Sequence, residues 1–459
     1  MSRILPKARA GINTRKKETI CLISLGCPKN LVDSEVILGY LNQSGFQITT
    51  KREAAEIIII NTCAFIKEAT QESLQTIFES AQYKKQGTCR LLIVAGCLPQ
   101  RYREKLAEEL HEVDLFIGTG KLPEIARIIH GFKNYRIEDV IQVGNPEFLL
   151  NHDTPRLLST PSHTAYVKIA EGCSNCCSYC LIPSLRGRYR SRTVDSIIQE
   201  TETLARKGVK EINLISQDTT RYGDDLSDGT NLTSLLKGLV KIQGIEWIRL
   251  LYSHPEHFSD ELVSLVAQEE KICKYLDIPI QHINSSILKK MNRRGNRRAL
   301  CTLFSRIREF IPDITLRTTV MVGFPGETNK EFTELLRFIE VIRFDHLGVF
   351  RYSREEGTPA AQLKKQIPQR IKDKRHNLIM KTQSLISLKR NQERIGSRIK
   401  VLIEKKSSQG DYPFQGRGSF QAPEIDGVVY LTKSKGRVGK IIEAKVTGAS
   451  EYDLIAEGV

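Results

Sequence analysis

The stretch from Cys173 to Cys180 holds four cysteines in eight residues and constrains the chain more than any other feature. Cys173, Cys177 and Cys180 read Cys-x3-Cys-x2-Cys, and three thiolates on so short a loop can ligate three irons of a cubane cluster. The fourth iron would have no ligand from this loop, and an open metal position indicates a reactive site rather than a structural one. The alternative set of Cys173, Cys176 and Cys180 is also geometrically possible.

Residues 19–135 alternate short apolar runs with helical patterns. The runs lie at residues 20–25, 57–60, 91–95 and 115–118, and each is followed by a helical segment. Continuous apolar strands that alternate with helices predict a parallel sheet with both faces covered.

Three further cysteines come directly after three successive strands of this predicted sheet. Cys27, Cys63 and Cys97 are separated by 36 and 34 residues, about one strand–helix unit each. Ligands of open α/β sheets gather at the carboxyl ends of the strands, so these thiols can converge. The placement predicts a second three-thiolate cluster. Zinc is the weaker alternative, because its structural sites normally have four protein ligands.

Residues 159–390 contain six strand-like runs separated by amphipathic helical segments. The runs are residues 166–172, 211–216, 247–252, 275–280, 316–324 and 346–352. Six strand–helix repeats fall short of the closed eight-unit barrel, so the pattern predicts a partial (β/α)6 barrel with a lateral opening. Functional residues are expected at the carboxyl ends of these strands.

Polar groups do follow the predicted barrel strands. Gln217 follows the second strand, a glycine-rich turn from Gly323 to Glu327 closes the fifth, and Tyr179 precedes the last cysteine of the loop. A glycine-rich turn alone predicts no more than a tight connection. His254 and His282 could be metal ligands, but neither has a metal-like partner spacing, which favours substrate or cofactor contact or plain packing.

Residues 391–459 change to short strand-like runs at 399–403, 427–431, 440–446 and 452–456, which predict a small β-barrel. The remaining segments are interpreted as a basic tail at 1–18 and a linker at 136–158. The fold class is therefore α/β, with an open parallel sheet, a partial barrel and a C-terminal β-barrel.

The net charge of +16 is concentrated at the two ends of the chain. Residues 1–18 carry six Lys/Arg against one Asp/Glu, and residues 370–459 carry eighteen against ten, which leaves only +3 for the rest. Clustered basic charge favours a polyanionic partner such as RNA or a ribosomal surface, with solubility as the alternative.

The sequence also indicates where the protein works. No apolar secretory segment follows the first methionine, and no run is long enough to span a bilayer. Eleven cysteines without such a signal argue against a disulfide framework and for metal binding in a reducing compartment. We expect a cytoplasmic protein with no membrane partner.

The cysteine loop and barrel pattern resemble the radical S-adenosylmethionine (SAM) enzymes, and the whole chain resembles their methylthiotransferase family. That family joins a cluster domain, a radical SAM barrel and a TRAM domain. The resemblance to its RimO type rests on several stretches: residues 24–30 (Ser-Leu-Gly-Cys-Pro-Lys-Asn), 61–66, 169–173, 182–187 and 216–220. The family usually has no cysteine at the position of Cys176.

The resemblance implies a specific chemistry. It implies two [4Fe-4S] clusters, ligated by Cys27, Cys63 and Cys97 and by Cys173, Cys177 and Cys180, and SAM contacts at Tyr179, Gln217, Gly323 and Glu327. The reaction would insert a methylthio group at the β-carbon of an aspartate of ribosomal protein uS12, using two SAM molecules.

The resemblance also implies partners: uS12 or the small ribosomal subunit, a sulfur donor, a reducing electron carrier and RNA at the basic C-terminal barrel. The alternative is a methylthiotransferase that modifies an adenosine of tRNA. Those enzymes usually have Cys-Gln-Met-Asn where this chain has Cys-Pro-Lys-Asn.

Overall fold

The computed structural model describes residues 17–134, 139–434 and 436–458. The predicted basic tail lies outside the described residues except for Lys17 and Glu18. Along the described chain a parallel α/β sheet, a half-open parallel barrel and a closed β-barrel follow one another, which confirms the predicted fold class.

The first sheet has six parallel strands in the order β2-β1-β3-β4-β5-β6. Its strands are β1 Thr19–Ser24, β2 Gln47–Ile48, β3 Ile57–Thr62, β4 Leu91–Gly96, β5 Leu115–Gly118 and β6 Ile141–Gln142, and its helices are α1 Pro28–Gln43, α2 Lys67–Gln86, α3 Cys97–Tyr102, α4 Glu104–Glu109 and α5 Ile125–Lys133.

Burial explains why these central strands were visible in the sequence. Every residue of β3 and β4 is buried, because helices cover both faces of the sheet. The edge strands β2 and β6 were not predicted, since two residues carry no periodicity. As β6 pairs with β5, the sheet continues beyond residue 135 into the segment interpreted as a linker.

The second sheet is a curved parallel sheet of six strands in the order β14-β13-β12-β11-β10-β7. Its strands are β7 Thr164–Lys168, β10 Glu211–Ile215, β11 Trp247–Leu250, β12 Ile272–Asp277, β13 Thr315–Val322 and β14 His346–Arg351. The helices of this region are α6 Ile182–Arg186, α7 Val194–Arg206, α8 Leu232–Leu239, α9 Asp260–Gln268, α10 Ser285–Lys290, α11 Arg297–Phe310, α12 Asn329–Ile342 and α13 Gln369–Gln392.

Two strand predictions in this region were wrong in detail. The expected strand at 166–172 is broken after Lys168, because β8 Ala170–Glu171 pairs instead with β9 Arg190–Ser191 in a separate antiparallel ribbon. The expected strand at 275–280 lies three residues earlier as β12. Ile278 and Ile280 are buried in the connection after β12. Their apolar side chains gave this connection the sequence pattern of a strand.

The last region is a closed five-stranded barrel in the order β15-β16-β17-β19-β18. Its strands are β15 Arg398–Lys406, β16 Phe414–Gly418, β17 Val429–Thr432, β18 Ile441–Ala449 and β19 Leu454–Gly458. The sequence missed β16, which is short and contains two glycines. Gly416 is needed there, because a Cβ at this position would lie 2.2 Å from the carbonyl oxygen of Leu402.

A buried charge cluster fixes this barrel to the amino-terminal ends of the parallel strands. The Glu211 carboxylate at the start of β10 pairs with Arg417 at 2.6 Å and with Arg249 at 2.9 Å. Arg417 also pairs with Glu404 of β15 at 2.8 Å. The C-terminal barrel therefore closes the bottom of the half-open barrel and leaves the carboxyl ends of its strands for function.

Among the described residues, no helix combines the length and the apolar character that a membrane span requires.

Candidate active site

The first three cysteines lie together at one edge of the first sheet. Cys27 caps the amino terminus of α1 after β1, Cys63 follows β3 directly, and Cys97 is the first residue of α3 after β4. Since β1, β3 and β4 are neighbours in the sheet, their carboxyl ends meet. The convergence is tight: a Cβ on Gly26, whose φ is +87°, would lie 2.6 Å from the Cβ of Cys63.

The electrostatics of this triad differ from one thiol to the next. Burial opposes ionisation of Cys27, but Lys29, Arg186 and the first backbone N–H groups of α1 outweigh it and hold the Cys27 pKa below its ordinary value. Burial and the neighbouring thiolates of Cys97 and Cys27 raise the pKa of Cys63 to about 12. Three thiolates here repel one another, so only a strongly positive group can hold all three ionised.

The second triad lies on the loop between β8 and α6. Burial raises the pKa of Cys173 to about 11 and that of Cys180 to about 12, and the nearby Cys177 thiolate adds to both shifts. These three sulfurs are therefore close enough to interact. Arg293 approaches the set, with its Nη1 3.9 Å from the Sγ of Cys177.

Cys176 stands apart from this triad. It is exposed, it has a φ of +47°, and its thiol donates to the backbone oxygen of Ser174 at 3.6 Å. Cys177 is half-buried and contacts Arg293, so the two adjacent cysteines occupy different environments.

The number of donors bears on the kind of metal group that fits. Each triad supplies three thiolates, one fewer ligand than a structural zinc site normally has. Three thiolates suit a four-iron cluster in which each thiolate binds its own iron and the remaining iron has no cysteine ligand.

Tyr179 belongs to the cysteine loop, and Gln217 lies beside that loop. The Tyr179 ring packs edge-on against Phe324, at 6.5 Å between ring centroids. Gln217 is half-buried at the carboxyl end of β10. The next residue, Asp218, accepts a hydrogen bond from Asn175 of the cysteine loop at 2.8 Å, so this strand end and the loop are joined.

The glycine-rich turn after β13 is stabilised by the buried side chain of Glu327. The Glu327 carboxylate accepts hydrogen bonds from the backbone N–H groups of Gly323 and Phe324, and it lies 3.5 Å from Arg375. Only 1% of Glu327 is exposed, so its carboxylate shapes the turn from inside. Gly323 has a φ of +74° and Lys372 packs directly against it, which requires glycine.

The two candidate histidines have different surroundings. His282 is fully buried and its Nδ1 accepts from the backbone N–H of Asn284 at 3.0 Å, which is a packing role. His254 stacks on His257 at 5.0 Å between ring centroids, beside Asp218. Asp218 already accepts from Asn175 and Thr220, so this trio braces the strand ends next to the cysteine loop.

The carboxyl ends of the two parallel sheets face each other. The Lys29 Nζ, two residues after Cys27, lies 3.1 Å from the ring centroid of Tyr252, which follows β11. Arg101 of α3 pairs with Glu355, which follows β14, at 2.8 Å. Both cysteine triads therefore border the same junction between the two domains.

Arg186 lies at this junction, in contact with the first triad. It ends α6, just beyond the cysteine loop, and its Nη2 donates to the Sγ of Cys97 at 3.7 Å. Its guanidinium also pairs with Asp33 of α1 at 2.7 Å and with Glu171 at 3.3 Å. Lys168 pairs with the same two carboxylates, so the buried network holds two cations and two anions.

The charged residues of this junction were not predicted from the sequence, and four of them lie nearest the first triad and the buried network: Lys29, Asp33, Glu171 and Arg186. Lys29, Glu171 and Arg186 lie inside the stretches that carry the family resemblance, and that was the available signal. Nothing in the spacing of Asp33 indicates a partner 153 residues away.

Three family models match the chain in succession. They are the uncharacterized protein family UPF0004 at residues 19–118, the radical SAM superfamily at 167–339 and the TRAM domain at 395–459.

Full-length relatives are highly similar. A ribosomal protein uS12 methylthiotransferase RimO from Geotalea uraniireducens is 52% identical over 97% of this chain and 99% of its own length. Proteins of the same name from Geobacter sulfurreducens and Desulforamulus reducens are 52% and 48% identical, each over 96% of this chain and at least 98% of their own.

Two solved structures share the fold at low identity. The radical SAM methyltransferase TsrM from Kitasatospora setae, with cobalamin and a [4Fe-4S] cluster bound, has a TM-score of 0.55 at 16% identity and covers 75% of this chain and 77% of its own. The cobalamin-dependent SAM radical enzyme OxsB has a TM-score of 0.51 at 13% identity and covers 80% and 56%.

We predict that Arg186→Met lowers the free energy of unfolding by about 3 kcal/mol at pH 7, because it leaves two buried carboxylates with one cation. Burial opposes ionisation of Glu171, but Lys168 and Arg186 outweigh it and lower its pKa to about 2. The stabilisation is present above the unfolded pKa of about 4.3 and is lost as the pH falls towards 2. Anaerobic urea unfolding at pH 7 and pH 3 measures both values.

Arg90→Met is the matched control, because Arg90 pairs with Glu56 at 2.7 Å but is largely exposed. We expect this control to cost less than about 1 kcal/mol. An Arg186→Met cost that is equally small, or one that grows as the pH falls, would contradict the assigned network.

Proposed function

The chain belongs to the RimO family of ribosomal protein uS12 methylthiotransferases, and from that membership we propose that it inserts a methylthio group at the β-carbon of an aspartate of uS12. It is a radical SAM enzyme of the sulfur-transferring class. We propose a cytoplasmic location, because the proposed substrate is a ribosomal protein.

The observation that carries the proposal is the pair of cysteine triads at facing strand ends. One triad would start the chemistry on SAM and the other would hold the sulfur. The radical and the sulfur must meet at the same carbon atom of the substrate, so both triads must reach that atom. Arg186 touches the first triad and closely follows the loop of the second, which supports a shared cavity at the junction of the two domains.

We propose two [4Fe-4S] clusters, one held by Cys27, Cys63 and Cys97 and the other by Cys173, Cys177 and Cys180. When bound, the clusters and SAM supply a carbon radical, a sulfur atom and a methyl group, which acid–base side chains cannot provide. The proposed reaction also consumes two SAM molecules, a sulfur atom from a sulfur donor and electrons from a reducing carrier.

The side chains of the protein contribute charge, position and exclusion of water. Lys29 and Arg186 place two cations beside the first triad, and these offset the negative charge of three thiolates and a bound sulfur. Burial of the junction keeps water from reactive groups, and rigid strand ends fix the distances between them.

The proposed SAM contacts fall in two places. Tyr179 belongs to the cysteine loop and Gln217 adjoins it, whereas Gly323 offers its backbone in the turn that Glu327 braces. The C-terminal barrel is the proposed RNA contact because it matches the TRAM domain. Most of the basic excess of residues 370–459 lies on α13, which leads into this barrel.

The decisive experiment supplies reductant, SAM and sulfide to the anaerobically reconstituted protein with isolated uS12, and weighs uS12 by mass spectrometry. We expect a methylthio mass increment on one aspartate. A parallel reaction with tRNA tests the alternative substrate and is expected to yield no 2-methylthio adenosine. SAM cleavage without any increment on uS12, or modification of the tRNA instead, would overturn the assignment.

The two adjacent cysteines give a matched pair of variants. We expect Cys177→Ser to lose about four irons per chain and all SAM cleavage, because it removes one ligand of a four-iron cluster. Cys176→Ser should keep its iron and its SAM cleavage, because Cys176 is exposed and its thiol donates to the backbone oxygen of Ser174. Iron assay and 5′-deoxyadenosine release measure both variants, and the reverse pattern would exchange the two ligands.

A further inference from the structure

A strongly basic segment lies beside the cysteine loop, in the part of the chain whose net charge is otherwise small. Residues 289–298, here called the basic loop, carry six Lys/Arg and no Asp/Glu. The exposed members are Lys289, Lys290, Arg294, Arg297 and Arg298, whereas Arg293 is half-buried against Cys177. The segment joins α10 to α11.

The exposed cations of this loop have no carboxylate partner within 4.0 Å in the described chain. Nearby cations outside the loop do have one: Arg306 of α11 pairs with Asp260 at 2.9 Å, and Arg317 of β13 pairs with Asp277 at 3.2 Å. Five unpaired cations on ten residues repel one another, so an external anion would stabilise them.

Two of these arginines also lie where they oppose the helix that carries them. Arg297 and Arg298 open α11, whose first turn has no acidic residue. The amino terminus of a helix is the positive end of its dipole, so cations there are unfavourable. The Asn296 side chain caps the helix by accepting from the N–H of Ala299 at 3.0 Å, so the fold itself has no need of these charges.

A groove gives these charges a concave surface. The groove at the basic loop has a volume of about 490 Å³, and Arg294, Asn296, Arg298 and Arg306 line it. One carboxylate, Glu256, also lines it. A second cavity, of about 520 Å³, lies elsewhere between α12 and α13. Guanidinium forks bind the paired oxygens of a phosphate, and several arginines in one groove match a run of phosphates.

The basic loop is bonded directly to the cysteine loop. The Ser178 N–H donates to the Met291 oxygen at 2.9 Å and the Ser178 hydroxyl donates to the Lys290 oxygen at 2.7 Å. The Asn292 amide donates to the Cys176 oxygen at 2.8 Å. A partner on the basic loop would therefore lie next to the candidate active site.

We propose that the basic loop binds the phosphate backbone of ribosomal RNA and places an RNA-associated substrate at the junction of the two cluster domains. The inference rests on the proposed function, since it takes uS12 as the substrate. It adds a second RNA surface, remote from the C-terminal barrel at the bottom of the half-open barrel. Ribosomal proteins are assembled with RNA, and a groove lined by several arginines matches a run of phosphates, so RNA is favoured over an acidic protein as the occupant.

The test compares the reconstituted full-length protein with the variant Arg294→Gln/Arg297→Gln/Arg298→Gln. The probe is a transcript of small-subunit ribosomal RNA, and its affinity is measured over a range of KCl concentrations. We expect at least tenfold weaker binding, and a slope of log affinity against log salt that is smaller by about two, because each lost phosphate contact removes about 0.7 from that slope.

The control variant Lys85→Gln/Lys105→Gln/Lys207→Gln removes the same charge from exposed positions elsewhere. We expect it to change the affinity less than twofold. Both triple variants should retain SAM cleavage and the modification of isolated uS12, which shows that they fold. Arg294→Gln alone, outside the helix, should weaken RNA binding in the same direction but less.

RNA affinity and salt slope that are unchanged in the arginine variant would overturn the inference. Loss of affinity for a polyglutamate probe instead of the transcript would also overturn it, because the surface would then serve an acidic protein. Failure of the unaltered protein to modify isolated uS12 is a different result, which refutes the proposed function itself.

Discussion

The buried contact between Arg186 and the Asp33–Glu171 pair is the interaction on which the arrangement of the site depends. Asp33 belongs to the first sheet domain, whereas Glu171 and Arg186 flank the cysteine loop of the second. Charges this deeply buried are stable only when each has its oppositely charged partners, so removing one member of the network leaves an uncompensated charge. The network therefore fixes two domains in one orientation, with their strand ends facing, and it places a cation against Cys97.

The geometry of parallel sheets explains how such distant residues meet. Three neighbouring strands bring Cys27, Cys63 and Cys97 to one edge of the first sheet without any local motif. The cysteine loop is a single segment, and it follows β7 and β8 at the carboxyl edge of the second sheet. The C-terminal barrel occupies the opposite end through Glu211, Arg249 and Arg417. The candidate active site thus lies at the carboxyl ends of the strands, and the C-terminal barrel packs against their amino-terminal ends.

The sequence predicted the features that repeat and missed those that depend on pairing across the chain. Apolar runs predicted β3 and β4 because they are buried on both faces, and the cysteines that follow such strands predicted convergence. The ribbon of β8 and β9, the glycine-containing β16 and the Asp33–Arg186 contact each depend on a partner far along the chain or on backbone approach. Charge counted by region also concealed the basic loop, because acidic residues elsewhere in the region balance it.

The two triads have separate roles in the proposed reaction, since one starts the radical chemistry and the other supplies the sulfur. The variant Cys63→Ser separates these roles most directly, because Cys63 belongs to the first triad alone. In anaerobic reactions with SAM, reductant, sulfide and uS12, we expect continued release of 5′-deoxyadenosine with no methylthio increment on uS12. Methylthiolated uS12 from this variant, or loss of SAM cleavage in a protein that keeps the iron of its second triad, would contradict the division of roles.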